Sequence, residues 1–582
     1  MKTKMKTLVA LCLVLCMAMT ACGKTEQKES TVTSEKENTQ ATTENKQVEE
    51  SKYPQYLNLE SYRPIVKEGE EITLKVATIR PTGMTTDINE TWFVKFIEEE
   101  LNINLEIEEL TSENRAERKN LMLASGDVPD LLLIPLTNGE VVEYGVNGGE
   151  LLPISDYFSE ELTPNILDTL EKEPEAKAAA TATDGKIYSV PKINAKTPGS
   201  GDTIGLQRVF IDTVYMEAAG ITEVPTTLDG FVDMLRAFKK IDPKDVGVDE
   251  FWPLVTRSNN DYEYFLNAFG FLQVDQNKAT EPVWDVETQS VTVSCLTEKY
   301  AEFIKLYHTL YSEGLLHPDK FTMDNANARA LYAEGKAAVN TDFGPLLFDK
   351  ENFDDYVMAK PLTSKWSADE PVVTSALGYV KNLAFVSADT EYPELCVRFL
   401  DYLYSGEGAI YSSNGCTADS EDKLGIIEGF YLNDQGIVTH KDVESGKFAT
   451  NFEYLSNLVR INNDVYTMDY EKAITYQYEE LLGAEVPEKV FDHTNAQSHL
   501  EWQLYDNMNA YLEYPLAEAY LDGETNTRFT DLQSVLETYH DQEFAKFVVG
   551  QRPIEEVDKF LQELMDLGGK EYLELVKKVY GK

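Results

Sequence analysis

Histidine, cysteine and carboxylate side chains are the groups in this sequence that could catalyse a reaction or hold a metal ion. None of the six histidines lies in the H-E-x-x-H pattern of a zinc enzyme, and no cysteine pair has zinc-ligand spacing. The chain contains neither a G-x-S-x-G nucleophile motif nor a phosphate-binding loop. Paired carboxylates could hydrolyse a glycoside, but 101 acidic residues make such pairs expected by chance. These patterns favour binding over catalysis, and we predict no catalytic residue and no cofactor.

Cys22 is the cysteine whose surroundings indicate a covalent modification. Three lysines within the first six residues precede the apolar segment Leu8–Thr20. This segment is shorter than the ~20 residues of a membrane-spanning helix and is typical of a secretory signal. Met19-Thr20-Ala21-Cys22 resembles the bacterial lipobox. The resemblance implies that Cys22 becomes the first mature residue and carries a lipid, whose two acyl chains would hold the protein at the membrane.

The segment that follows Cys22 and the overall charge restrict the partners. Residues 23–52 contain no aromatic side chain and almost no aliphatic one, which predicts a disordered spacer. The net charge of −49 excludes nucleic acid and a basic membrane-binding patch as partners. Cys295, Cys396 and Cys416 remain, an odd number that argues against a disulfide framework but leaves one pair open. We expect Cys396 to be buried, because apolar residues flank it at helical spacing.

Strands and helices alternate at the start of the folded part, near Tyr53. The hydrophobic periodicity predicts strand 71–80, helix 90–103, strand 103–110, helix 116–126 and strand 129–136. The last strand is a continuous apolar run, as expected for a strand that is buried on both faces. This order predicts a parallel α/β unit. Trp92 has the pattern of a core residue, Trp284 that of a hairpin, and the chain from Phe544 onward that of helices.

Several longer motifs carry a resemblance to a known family. They are LMLASGDVPDLLLI (Leu121–Ile134), TATDGKIYSVPKI (Thr181–Ile193), AGITEVPTTLDGFVDMLRAFKKIDP (Ala219–Pro243), LYAEGKAAVNTDFG (Leu331–Gly344), EYPELCVRFLDYLYSGEGAIYSSNG (Glu391–Gly415) and the block from Phe547 to the C-terminus. In this order they resemble the extracellular solute-binding lipoproteins of ATP-driven importers, in the branch with oligosaccharide-binding members.

The resemblance implies a two-lobed α/β fold of the periplasmic-binding-protein type (type II) with a C-terminal helical extension. Residues 1–21 would be the signal and 22–52 the lipid-anchored spacer. Lobe 1 would comprise 53–204 and 377–412, and lobe 2 would comprise 205–372 and 413–582. Chain crossings between the lobes would fall near 196–208, 373–379 and 412–415. Hinge closure around a solute is a known switching mode of such proteins.

Some relatives carry a calcium loop where this chain reads DPKDVGVDEFWP (Asp242–Pro253). Lys244 and Val246 stand where oxygen ligands would be needed, and a calcium ion requires six or more of them. We therefore predict no metal site, and the acidic residues of this loop are expected to be solvated.

The resemblance also indicates where a solute would bind. A sugar site needs aromatic rings and bidentate polar side chains, which we expect on loops at the carboxyl ends of strands. The predicted ligand-binding residues are Arg80, Thr82, Thr137, Asn138, Arg208, Trp252, Asn259, Asn260, Asp342, Phe343 and Tyr379.

The resulting hypothesis is a receptor, held by its lipid on the extracellular face of the cell membrane, that passes a solute to the permease subunits of an ABC importer. An oligosaccharide is the leading ligand class. Three alternatives stay open: a peptide or other organic solute bound by the same fold, a surface-anchored glycoside hydrolase, and a purely structural lipoprotein.

Overall fold

The folded body is built on two four-stranded β-sheets, each covered by helices, and carries smaller two- and three-stranded sheets among its described residues. The computed structural model describes residues 52–81, 83–111, 114–194, 208–256, 259, 261–273, 278–342, 353–367, 370–374, 378–434, 436, 438–448, 451–462, 468–487, 498–513 and 520–580. The predicted signal, the lipidated Cys22 and the spacer up to residue 51 lie outside these residues. Within them, no helix has the length and apolar character needed to cross a bilayer.

The strands are β1 (Thr73–Ile79), β2 (Asn104–Leu110), β3 (Leu131–Leu133), β4 (Lys192–Ile193), β5 (Val209–Asp212), β6 (Trp252–Thr256), β7 (Phe271–Gln273), β8 (Pro282–Asp285), β9 (Ser290–Val293), β10 (Ala337–Thr341), β11 (Tyr356–Met358), β12 (Val373–Thr374), β13 (Tyr379–Val380), β14 (Phe385–Val386), β15 (Phe430–Leu432), β16 (Val438–His440) and β17 (Leu512–Glu513).

The α-helices are α1 (Trp92–Glu100), α2 (Arg115–Ser125), α3 (Asn138–Glu140), α4 (Pro164–Lys172), α5 (Pro174–Ala180), α6 (Thr213–Ala219), α7 (Leu228–Phe238), α8 (Tyr262–Ala268), α9 (Lys299–Ser312), α10 (Asn325–Ala333), α11 (Pro393–Leu403), α12 (Gly406–Asn414), α13 (Lys441–Glu444), α14 (Asn451–Tyr454), α15 (Tyr470–Thr475), α16 (Ser498–Met508), α17 (Gly523–Val548), α18 (Val557–Leu564) and α19 (Lys570–Tyr580). The segments Val141–Gly148, Leu455–Val459, Tyr476–Leu481 and Met565–Gly569 are π-helical.

The first sheet has the order β14-β3-β1-β2. β1 pairs in parallel with both β2 and β3, and β14 pairs antiparallel with β3. The predicted parallel α/β unit is therefore confirmed. The continuous apolar run of β3 is buried on both faces as expected, because Leu131 and Leu133 belong to one hydrophobic cluster and Leu132 to another.

The helices of this unit also begin and end where the sequence indicates. α2 ends at Gly126, whose φ of 73° is a left-handed conformation that glycine adopts without strain. Trp92 is fully buried in α1, and Cys396 is fully buried in α11, as predicted. Trp284 packs in the antiparallel hairpin of β8 and β9.

The second sheet has the order β11-β5-β10-β6. β6 and β10 are parallel, while β5 is antiparallel to β10 and to β11. Its main core joins the sheet to α7, α8 and α9 and to the C-terminal helices from Phe529 to Tyr580. The helical C-terminal block is therefore confirmed for the described residues, although its first helix begins at Gly523 and not near Phe544.

We call the residues that pack around the first sheet lobe 1 and those around the second sheet lobe 2. The core of lobe 1 contains residues from Tyr53 to Val190 and again from Leu383 to Tyr478, including Cys416, Tyr454 and Met468. This corrects the predicted division, which assigned residues 413–582 to lobe 2. The chain does not leave lobe 1 near 412–415, because the end of α12 and the segment after it are buried in the same core as α1. The other predicted boundaries stay predictions.

Candidate functional site

The carboxyl ends of β1 and β3 form one edge of the first sheet. Thr78 lies beside Leu133 in the parallel register, so the residues after both strands emerge together. Arg80 follows β1 directly, where its guanidinium pairs with Glu109 and donates to the Thr86 carbonyl oxygen at 2.8 Å. Arg80 is thus placed at the predicted edge, and its charge is already neutralised within the protein.

A later part of the chain packs onto the same edge. The Asn462 Nδ2 group donates to the Leu133 carbonyl oxygen at 2.7 Å and to the Thr78 Oγ1 atom at 2.8 Å. Asn457 accepts the Thr85 backbone N–H at 2.8 Å through its Oδ1 atom. The segment from Asn457 to Asn462 is therefore part of the candidate site in lobe 1. The predicted site does not include this segment, because the segment does not follow a predicted strand.

Thr137 and Asn138 lie on the turn after β3. Thr137 is the N-cap of α3, where its side chain and that of Glu140 form a reciprocal capping box. Asn138 is buried, and its Oδ1 atom accepts a hydrogen bond from the Asn382 Nδ2 group at 2.7 Å. Both residues are at the predicted edge, and these hydrogen bonds hold the shape of the turn.

In lobe 2, the carboxyl ends of the parallel strands β6 and β10 form one edge of the second sheet, as those of β1 and β3 do in lobe 1. Thr256 lies beside Thr341 in the parallel register, so Asn259 and Asp342 follow the two strands on the same side of the sheet. Asn259 is half-buried and its carbonyl oxygen accepts the Tyr262 N–H at the start of α8. The structure therefore brings these two predicted residues to the same edge.

Asp342 forms a bidentate ion pair with Arg329 of α10. The Arg329 Nε atom lies 2.8 Å from Asp342 Oδ2, and its Nη2 atom lies 2.9 Å from Oδ1. Asp342 is buried, while 35% of the Arg329 side chain is exposed. These hydrogen bonds raise the pKa of Arg329. Arg329 is thus the partly exposed member of the pair and a further polar group near this edge.

A second buried ion pair supports the same end of β6. The Lys320 Nζ atom lies 2.7 Å from Asp261 Oδ1 and 2.7 Å from Thr256 Oγ1, and both charged side chains are fully buried. Asp261 also accepts the Tyr307 hydroxyl, and the Lys320 ammonium lies 5.3 Å from the ring centroid of Tyr262. Burial lowers the pKa of Lys320, and the nearby Asp261 opposes that shift. This network fixes the chain on both sides of Asn259.

Trp252 lies at the opposite end of β6. It stands beside Ala337 in the register, whereas Thr256 stands beside Thr341. Four residues of strand correspond to about 13 Å. The Trp252 ring contacts the His317 ring, with 4.3 Å between centroids. The structure does not bring Trp252 together with Asn259 and Asp342, so its position gives no support to the prediction that it binds the solute.

Two other predicted residues lie where the chain passes between the lobes. Tyr379 is in β13, which pairs with β4, and its side chain packs against Ala176 and Ile193. Burial raises the pKa of its hydroxyl. Arg208 directly precedes β5 and is half-buried. The predictions for Thr82, Asn260 and Phe343 fall outside the described residues.

The carboxylates of the loop Asp242–Pro253 make contacts within the protein. The Asp242 side chain accepts the backbone N–H of Lys244 at 3.1 Å, which caps a short 3-10 turn. The Lys336 ammonium lies 3.5 Å from the Asp249 carboxylate and 2.8 Å from that of Glu334. A lysine therefore occupies the place of a cation beside Asp249. Among the residues that the structure describes, no group of three His, Cys, Asp or Glu side chains could hold a metal ion.

The chain belongs to the family of bacterial extracellular solute-binding proteins, which it matches over residues 85–410, more than half of its 582 residues. The fold is the two-lobed α/β fold of periplasmic-binding-protein-like proteins, with a helical C-terminal region.

Three relatives illustrate this membership. The chain is 23% identical over 491 residues to the fructooligosaccharide ABC transporter substrate-binding protein FusA of Streptococcus pneumoniae serotype 4, with 81% of this chain and 88% of FusA covered. The solved structure of a FusA EF-hand mutant in complex with fructo-nystose superposes with a TM-score of 0.68 at 20% identity, covering 87% of this chain and 98% of the chain in that structure.

The second relative is an HMO-binding, ABC-transporter-associated solute-binding protein of Bifidobacterium longum infantis, with a TM-score of 0.68 at 17% identity over 88% of this chain and 98% of that one. The third is lipoprotein LipO of Bacillus subtilis, which is 24% identical over 233 residues, 39% of this chain and 41% of LipO.

Proposed function

We propose that this protein captures an extracellular oligosaccharide between its two lobes and delivers it to the permease of an ABC importer. The observation that supports the proposal most is that both sheets direct polar side chains to the carboxyl ends of their strands. Lobe 1 contributes Arg80 and the turn after β3, and lobe 2 contributes Asn259 and the Asp342–Arg329 pair. Amide and guanidinium groups can bind sugar hydroxyls from both sides.

The choice of an oligosaccharide draws on the relatives. One is a fructooligosaccharide-binding protein, and another is an HMO-binding protein. A solute that contacts both lobes favours their closed arrangement, since a ligand shifts a conformational equilibrium only by its differential affinity for the two states. The closed, loaded receptor is then the form that an importer can distinguish from the empty one.

The proposal is tested by thermal unfolding of the chain from Tyr53 onward, which forms one compact unit. The protein is screened against kestose, nystose, milk oligosaccharides, pectin fragments and a peptide panel. A ligand at a hundredfold excess over its Kd stabilises the native state by about 2.7 kcal/mol, so one glycan series should raise the melting temperature clearly. A shift only with peptides, or no shift with any compound, would contradict the proposal.

A site variant with a matched control sharpens this test. Asn259→Ala should lower the affinity for the glycan identified in the screen, because Asn259 lies at the edge of lobe 2 where β6 and β10 end. Asn104→Ala is the control, since Asn104 is exposed at the amino end of β2. Product analysis after prolonged incubation with the same glycan separates a receptor from a hydrolase, and any cleavage of the glycan would contradict the proposal.

The membrane anchor is a second part of the proposal. It rests on the lipobox-like residues before Cys22 and on the similarity to lipoprotein LipO. Cells grown with labelled palmitate should incorporate the label into the wild-type protein and not into Cys22→Ser. Label in both proteins, or in neither, would refute an anchor at Cys22.

A further inference from the structure

The long helix α17 (Gly523–Val548) contacts both lobes. Phe529, Leu532 and Leu536 pack in the main core of lobe 2, so the body of the helix belongs to that lobe. A helix of 26 residues is about 39 Å long. Its first turn reaches the turn after β3 in lobe 1, where Asn526 packs against Gly139.

The contact at Gly139 depends on the absence of a side chain. A Cβ atom built on Gly139 would overlap the Asn526 Nδ2 atom and would lie 2.9 Å from its Cγ atom. Atoms at such distances overlap, so even an alanine at this position requires the Asn526 side chain to move. Gly139 is the central residue of α3, directly after Thr137 and Asn138. The start of α17 therefore contacts the turn after β3, which is part of the candidate site of lobe 1.

Tyr520, just before α17, extends this contact through hydrogen bonds. Its hydroxyl donates to the Asn382 Oδ1 atom at 2.8 Å, and the Asn382 Nδ2 group donates to Asn138 Oδ1 at 2.7 Å. The Tyr520 ring packs partly buried against a lobe 1 cluster, and the Lys381 ammonium lies 4.9 Å from its ring centroid. A chain of hydrogen bonds thus links the segment before α17 to the turn after β3.

We infer that Tyr520 and Asn526 form a latch that holds lobe 2 against the turn after β3 and that opens when the lobes separate. Among the described residues, the latch consists of the Tyr520 hydrogen bond, the Asn526 contact and the packed Tyr520 ring. A single hydrogen bond adds little net stability, and a small polar interface between domains is expected to permit their relative motion. The latch therefore sets the fraction of ligand-free protein that is open, and, if the proposed function holds, it tunes solute affinity through that fraction.

The test uses single-molecule Förster resonance energy transfer on the ligand-free chain from Tyr53 onward, which reports the distance between a dye on each lobe. Dyes are attached at Glu117→Cys in lobe 1 and Asp229→Cys in lobe 2, both exposed positions. The native cysteines Cys295, Cys396 and Cys416 are buried. Tyr520→Phe removes one hydroxyl and should raise the ratio of open to closed molecules by about two- to twelvefold, the range that corresponds to one hydrogen bond.

The matched control is Tyr188→Phe. Tyr188 belongs to the same lobe 1 cluster as Tyr520 and donates its hydroxyl to Asp184 at 2.8 Å, so it loses a bond within one lobe. This control should leave the ratio unchanged. An equal change in Tyr188→Phe and Tyr520→Phe, or no change in Tyr520→Phe, would overturn the latch.

A second variant gives an independent result. Asn526→Ala removes the amide group that packs against Gly139 and should shift the ratio toward open molecules. If Asn526→Ala has no effect, the latch is refuted.

The outcome is separable from the fate of the proposed function, because no ligand is present in these measurements. If no glycan binds in the screen while Tyr520→Phe raises the ratio of open to closed molecules, the latch is supported and the proposed ligand class is refuted. If a glycan binds while that ratio is unchanged in all variants, the proposed function is supported and the latch is refuted.

Discussion

The buried pair of Lys320 and Asp261 allows a quantitative prediction. Both side chains are fully inaccessible to solvent, and the Lys320 Nζ atom is 2.7 Å from Asp261 Oδ1. Removing one member of a buried pair leaves the other charge without its counter-charge and costs about 3–5 kcal/mol. Lys320→Met should therefore destabilise lobe 2 by about that amount. At roughly 2–4 °C per kcal/mol for a domain of about 150–250 residues, the melting temperature should fall by about 6–20 °C.

The assay is differential scanning calorimetry of the chain from Tyr53 onward, since two lobes can unfold in separate transitions. The double variant Lys320→Met/Asp261→Asn removes both charges and should be less destabilised than the sum of the single variants. Lys305→Met is the control, because Lys305 forms an exposed pair with Glu302 at 2.8 Å, and such surface pairs contribute about 0–1 kcal/mol. A loss under about 1 kcal/mol for Lys320→Met, or strict additivity in the double variant, would refute the reasoning.

Three further predictions concern Trp252, His317 and the loop after Asp242. Trp252→Ala should leave the affinity for the identified glycan unchanged, because Trp252 lies at the amino end of β6; isothermal titration calorimetry that shows weaker binding would return Trp252 to the site. Burial lowers the pKa of His317 below its ordinary value, and its Nδ1 atom accepts the Asp319 N–H at 3.1 Å. The His317 imidazole therefore binds a proton more readily in the unfolded chain than in the folded protein. The stability that His317 contributes is present above about pH 6.5 and is lost as the pH falls below it. His317→Asn should lose less melting temperature than wild type between neutral and mildly acidic pH, and parallel curves would contradict this assignment. Adding calcium or a chelator should change the melting temperature by less than about 1 °C, because Lys336 pairs with Asp249; a clear stabilisation by calcium would reveal a site that we predict to be absent.

Local sequence patterns predicted lobe 1 well where hydrophobicity decides the structure. The uninterrupted leucines of β3 indicated a strand buried on both faces, and Gly126 indicated the end of α2. Both signals depend only on neighbouring residues. The edge that carries Arg80 and Thr137 followed from them, since parallel strands end on the same side of a sheet.

The tertiary partners of the site residues could not be predicted in this way. Asp342 was placed correctly after β10, but its partner Arg329 lies on the preceding helix at an unremarkable position. Asn138 was expected to contact a solute, yet it accepts a hydrogen bond from Asn382, 244 residues away. Polar pairs with such separations leave no periodic pattern in the sequence.

The start of α17 was missed for a different reason. The apolar residues Phe529, Leu532 and Leu536 already recur at helical spacing before Phe544, so the helical pattern begins earlier than the predicted block. A cap signal was available, because Asp522 precedes the helix and accepts the Thr525 N–H at 2.9 Å. This signal would have placed the first turn at Gly523, the turn that contacts Gly139.

The misplaced segment after α12 changes which atoms of lobe 1 a solute could reach. The Asn462 side chain already occupies the Leu133 carbonyl oxygen and the Thr78 hydroxyl at the ends of β3 and β1. Those strand-end groups are therefore used by the protein itself. A solute at this edge would meet the layer outside them, which the segment from Asn457 to Asn462 helps to build. The side chains of that segment, together with Arg80 and the turn after β3, are then expected to decide which solute lobe 1 accepts.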